Sequence, residues 1–165
     1  MENVRRVGSF ACALALLLSP SVALGQSAAV DQARPTTIQY TKWVELVNGV
    51  RLLKGSTGGD VVGDFSGQVF VRDVSVDGKV TRLEAEYSVA GERSFTAVVR
   101  GGTDNSTGAA ILEGTILAGW RTGAQVHAEF VTIPAPSPND PACPGHPPGL
   151  ACFKGTLLIG RVPGN

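Results

Sequence analysis

From Thr37 onward the chain alternates apolar and polar residues in short runs, broken by Gly, Asp and Asn clusters, and no stretch repeats with a helical period. A period of two sends successive side chains to opposite faces of an extended strand. The clearest run is Val80 to Val89, with Leu83, Ala85, Tyr87 and Val89 on one face and Arg82, Glu84, Glu86 and Ser88 on the other. Asp77-Gly78 before it and Ala90-Gly91-Glu92 after it are turn signals. The same reading predicts strands over Thr37–Val47, Val50–Lys54, Phe65–Val76, Arg93–Arg100, Ala109–Trp120, Ala124–Ile133 and Phe153–Val162. In the first of these, Ile38, Tyr40, Val44 and Leu46 share the apolar face, while Trp43 breaks the pattern and is expected to cover an edge. In Ala109–Trp120 the apolar face is Ala110, Leu112, Ile116, Ala118 and Trp120. Gly55–Gly63, Gly101–Gly108 and Pro134–Ala151 read as loops, and most of the 21 glycines are expected between strands.

Seven strands and a short eighth, joined mainly by hairpins, with one wet and one dry face, predict an all-β fold. Antiparallel sheets of this kind close into barrels or pair as sandwiches, because open edges invite aggregation. Sequential hairpins favour a single, mostly up-and-down β-barrel of about eight strands over the alternative, a β-sandwich.

Residues 1–25 carry Arg5-Arg6, an apolar run of 12 residues from Val7 to Leu18, Pro20, and small residues before Gln26. That is the layout of a secretory signal peptide cleaved after Gly25. The run is short of the ~20 residues of a spanning helix, and Gln26 stands where a lipoprotein needs Cys, so no membrane anchor is expected after cleavage. The expected division is therefore a signal peptide (1–25), a flexible arm (26–36) and a barrel domain (37–165), in a secreted or periplasmic protein. Cleavage leaves 140 of the 165 residues, with 12 basic and 13 acidic side chains, a balance that speaks against nucleic acid as a partner. It also leaves Cys143 and Cys152 as the only cysteines. Two cysteines in a secreted chain predict one disulfide.

Gly63-Asp64-Phe65-Ser66-Gly67 and the late Gly119-Trp120 resemble features of calycin-like barrels and, more loosely, of allene oxide cyclase- and dirigent-type barrels. The resemblance covers about Gly63 to Phe130 and carries no catalytic motif. It implies a barrel whose apolar interior holds a small hydrophobic molecule, and it assigns no residue a role.

Motifs of known chemistry are few. Ser66 is not in a G-x-S-x-G elbow, and no glycine-rich phosphate loop opens a helix. His127 and Glu129 lie two apart on the wet face, too few for a zinc site, and read as a surface pair. His146, between Gly145 and Pro147, reads as solvated. Asn105-Ser106-Thr107 matches a glycosylation acceptor. No metal or cofactor is expected. The Asp77-Gly78 hairpin is more informative. With a two-residue turn, Phe70 opposes Ala85 and Arg72 opposes Leu83 on the inner face. With a three-residue turn, Val69, Val71 and Asp73 turn inward. Either register puts a charge, Arg72 or Asp73, on the apolar side, where it must sit at a mouth, find a partner or bind something. Arg72, Asp73 and Tyr87 are thus the candidate ligand-binding residues. The leading expectation is a non-enzymatic barrel that binds a small apolar or amphipathic ligand, or a surface partner through its loops. The alternatives are a barrel enzyme of isomerase or cyclase type and a structural protein whose core is filled by Phe70, Tyr87, Phe95, Trp120 and Phe130.

Overall fold

The computed structural model describes residues 34–134, 136–137 and 140–160. The expected signal peptide, the arm before residue 34 and the end of the last expected strand lie outside the described residues. The elements are β1 (Thr36–Val47), β2 (Val50–Gly59), β3 (Gly63–Val74), β4 (Val80–Ala90), β5 (Phe95–Asp104), β6 (Ala109–Gly119), β7 (Gln125–Ile133) and β8 (Cys152–Ile159). Each strand pairs antiparallel with the next, and β8 returns to β1, with Ile38 opposite Leu157 and Tyr40 opposite Gly155. The fold is a closed, eight-stranded, up-and-down barrel, and closure leaves no edge for Trp43 to cover.

Local chemistry explains the hairpins. Asn48 (φ 51°) and Gly49 (φ 82°) both take positive φ between β1 and β2, the conformation of a tight turn that matches strand twist. At the β3–β4 turn, the Asp77 carboxylate accepts from the Ser75 hydroxyl at 2.6 Å and the Lys79 amide at 3.1 Å. These bonds hold Asp77 below the ordinary carboxylate range, the Ser75 hydroxyl first. Inside, Ile38, Phe65, Val99, Leu112, Val126 and Leu157 are among the buried core residues. Each such side chain contributes roughly 1.5–3 kcal/mol on leaving water.

Three expectations need correction. First, β2 runs to Gly59 and β5 to Asp104, so parts of both expected glycine loops are strand. Glycine is there for close approach. A Cβ at Gly155 would lie 1.9 Å from the Glu129 carbonyl oxygen, and one at Gly101 would lie 2.0 Å from that of Ile111. An eight-stranded barrel coils tightly, and these inward positions leave no room for a side chain. Second, β3 carries a bulge. Pairing follows the two-residue register from Val74–Thr81 to Val71–Glu84, then shifts so that Val69 opposes Ala85. Phe70 is the extra residue, and it is turned outward at 51% exposure. A bulge sets two residues against one and exchanges faces beyond it, so Val69 and Arg72 both face the lumen. Third, the β5–β6 pairing shifts between Thr96 and Ala97, which sets Ala118 outside while Ile116 stays buried.

The two ends of the barrel differ. At the end holding the N-terminus of β1, Val61, Phe95 and Ala124 are buried, and Trp120 lies between the Arg93 and Arg121 guanidiniums, 5.2 and 4.6 Å from its ring centre. This end is plugged. The other end carries the β1–β2, β3–β4 and β5–β6 hairpins and the long β7–β8 connection.

Candidate functional site

A cavity of about 330 Å³ occupies the lumen on the hairpin side. Its wall is apolar: Val44, Leu53, Val69, Leu83, Leu112 and Phe153 contribute. Thr81, Thr103, Asn105 and Thr132 add polar groups, and Arg51 and Arg72, both exposed, stand at the mouth. The Asn105 amide donates to the Gly78 carbonyl at 2.7 Å and its oxygen accepts from the Thr81 hydroxyl at 2.8 Å. It therefore ties two mouth hairpins together, a use the glycosylation motif did not suggest.

The inner end of the cavity holds Lys42. It is 3% exposed and lines the cavity with Tyr87 and Phe130. β1 places it there by parity: it follows Ile38 and Tyr40 on the inner face and opposes Phe153 across the β1–β8 seam. Its Nζ is hydrogen-bonded to the Tyr87 hydroxyl. The Tyr87, Phe130, Tyr40 and Phe65 ring centres lie 4.1, 4.3, 5.1 and 5.8 Å away. Tyr40 and Phe65 stack at 5.3 Å, and Tyr87 packs edge-on to Phe65 at 5.0 Å, so the rings form one rigid cluster. Aromatic rings attract a cation by roughly 0.5–2 kcal/mol each. Desolvation of an ammonium costs several kcal/mol, and none of the residues lining the cavity is a carboxylate. With no opposite charge to offset it, burial lowers the Lys42 pKa well below its ordinary value. Burial also raises the pKa of Tyr87 and of Tyr40. Burial thus disfavours the ammonium at Lys42 and the phenolates at Tyr87 and Tyr40, at the bottom of an apolar cup.

The predicted residues divide. Tyr87 lies at this inner end and is fully buried, and Arg72 lines the cavity at its exposed mouth. Asp73 opposes Arg82 on the outer face, so the two-residue register next to the turn removes it from the lumen set. Of the five aromatics expected to fill the core, Tyr87 and Phe130 border the cavity, Phe95 and Trp120 belong to the plugged end, and Phe70 is outside. Sequence reasoning passed over Lys42, although its even position between Tyr40 and Val44 was the available signal.

Cys143 and Cys152 form a disulfide with Cα atoms 6.3 Å apart, as expected. It pins the β7–β8 connection to the first residue of β8. His146 corrects an expectation, because it is buried there: Nδ1 is 2.9 Å from the Cys143 carbonyl oxygen and Nε2 3.3 Å from that of Pro136. His127 lies on the outer face between Glu113 (2.5 Å) and Glu129 (2.9 Å), a triplet across β6 and β7. Hydrogen bonds to Glu129 first, then Glu113, raise its pKa. Among the described residues no group of three or more His, Cys, Asp or Glu side chains is placed to hold a metal ion.

This arrangement defines a barrel with one plugged end and an apolar lumen that ends on a buried amine. No protein-family model, curated protein or solved structure matches the chain significantly.

Proposed function

We propose that this protein is a secreted or periplasmic, non-enzymatic barrel that binds one small amphipathic molecule in its lumen. The observation that carries this reading is the 330 Å³ cavity with an apolar wall and a polar inner end at Lys42 and Tyr87. Small-molecule sites are concave, mostly apolar and carry a few convergent polar groups, within a range of roughly 300–1,000 Å³. The apolar part of the ligand lies against Leu53, Leu83 and Leu112, and its polar group meets Lys42. The disulfide is compatible with an oxidising compartment. A filled structural core is less well supported, because the cavity takes up the lumen that the five aromatics were expected to close. The cyclase reading draws on an inward Arg72 or Asp73 with Tyr87, and only the first of these charges faces the lumen.

The test is binding of N-phenyl-1-naphthylamine, an apolar fluorescent probe. Wild-type protein should take up about one equivalent. Leu83→Trp, which projects a larger ring into the cavity, should weaken binding at least tenfold. If the wild type fails to bind, or if the substitution changes nothing while the protein stays folded, the lumen is not the binding site. Where the probe does bind, native mass spectrometry of protein from its own host identifies what the lumen carries.

A further inference from the structure

Resting on the lumen-binding reading, we propose that Lys42 captures an aldehyde or ketone ligand covalently, as an imine on its Nζ. Three features of the geometry point there. Lys42 is the one lysine that lines the cavity; Lys54 and Lys79 form surface pairs with Glu45 (2.7 Å) and Asp77 (3.9 Å), and Lys154 is exposed. The cavity lining contains no carboxylate, so no opposite charge there holds the amine in its ammonium form. The Tyr87 hydroxyl is hydrogen-bonded to Nζ, which puts a proton donor and acceptor beside the reacting nitrogen.

The step balances without any further reactant. The Nζ lone pair attacks the carbonyl carbon and the C=O π pair moves to oxygen. Tyr87 passes its proton to that oxygen and takes one from nitrogen, which gives a carbinolamine. The C–O bond then breaks, C=N forms, and the oxygen leaves as water with the second nitrogen proton. Nothing is oxidised or reduced. Burial supports the step from both sides, because it lowers the Lys42 pKa and so frees the nucleophilic lone pair, and it keeps the Tyr87 hydroxyl protonated. The aromatic cluster around Nζ limits the water available to hydrolyse the product. An aliphatic aldehyde fits the cup, with its chain toward Leu53, Leu83 and Leu112.

The experiment incubates the full chain with one equivalent of decanal and cyanoborohydride at pH 7.5, followed by peptide mapping. The expected result is an N-decyl adduct at Lys42, formed at least tenfold faster than at Lys54, Lys79 or Lys154, and lost in Lys42→Met. Decanol binding to the wild type is measured in parallel. Even labelling of all four lysines, or an unmodified Lys42, overturns the inference. If decanol still binds in that case, the carrier reading stands without covalent capture; if neither molecule binds, both fall.

Discussion

Lys42→Met separates the energetics of the buried amine from those of its neighbours. Methionine keeps an unbranched apolar stem and removes the titrating nitrogen. In the unfolded chain Lys42 has its ordinary value of 10.5, and in the barrel burial lowers it. Between the two values the unfolded state carries a proton that the native state lacks, so native stability rises with pH across that window and falls as pH drops through it. For a native amine held fully neutral, the cost of deprotonating a group of pKa 10.5 is about 3 kcal/mol at pH 8 and about 1 kcal/mol at pH 9.5. The substitution removes that cost. It gives up the hydrogen bond to Tyr87, about 1 kcal/mol, and adds a repacking cost below about 1.5 kcal/mol. The variant should therefore be more stable than wild type by on the order of 1–2 kcal/mol at pH 8, with most of the difference gone by pH 9.5. Urea unfolding at both pH values, followed by tryptophan fluorescence, measures it. Equal differences at the two pH values would refute the argument, because they would mean that the aromatic rings hold Lys42 charged in the native barrel.

Other outcomes follow from separate features. Gly155→Val should destabilise by more than ~3 kcal/mol or prevent folding, because its Cβ meets the Glu129 carbonyl and the Phe130 Cβ; a urea midpoint near wild type would count against the tight coiling. The oxidised protein should show no thiol titratable at Cys143 or Cys152, and reducing the disulfide, which spans nine positions, should lower stability by roughly 2.5–3 kcal/mol in the chain-entropy model. Unchanged thermal unfolding after reduction would contradict that role. The His127 ring, followed by NMR, should titrate above 6.5, and Glu113→Gln with Glu129→Gln should bring it down. Any stability from this triplet is present below pH 6.5 and is lost as pH rises through the raised value; the surface position keeps it small.

How far the sequence foretold the fold depends on what each residue's alternation could reveal. Val80–Val89 alternates without interruption and β4 follows it closely, because every second residue there packs inward. The bulge at Phe70 was hidden because a phenylalanine suits either face, and only the pairing with Ala85 decides between Val69 and Phe70. The strand glycines were misplaced for a related reason. Gly55 and Gly101 punctuate the alternation just as turn residues do, and only the neighbouring strand's carbonyl reveals that they are interior. Lys42 is legible in position but not in meaning: parity puts it on the inner face between Tyr40 and Val44, yet an apolar pattern skips a lysine, and the reading of the first strand passed over it. A buried lysine breaks the local rule, and such conflicts gather where a protein has a use for them.

The seam between β8 and β1 has a kinetic consequence. Every other strand pair is a hairpin or joins neighbours in sequence, so it can form with little loop-closure cost. The β1–β8 pairing unites the two ends of the described barrel, with Thr36 opposite Ile159, and is the most non-local step of a fold whose other pairings all join strands adjacent in sequence. Lys42 opposes Phe153 across this seam, while Phe130 comes from β7 beyond β8 and Tyr87 from β4 across the lumen. The amine therefore meets Phe130 and Phe153 only when the last pair of strands zips. Ligand uptake would then report completion of folding, and a half-assembled barrel would leave Lys42 in water as an ordinary ammonium, unable to capture anything.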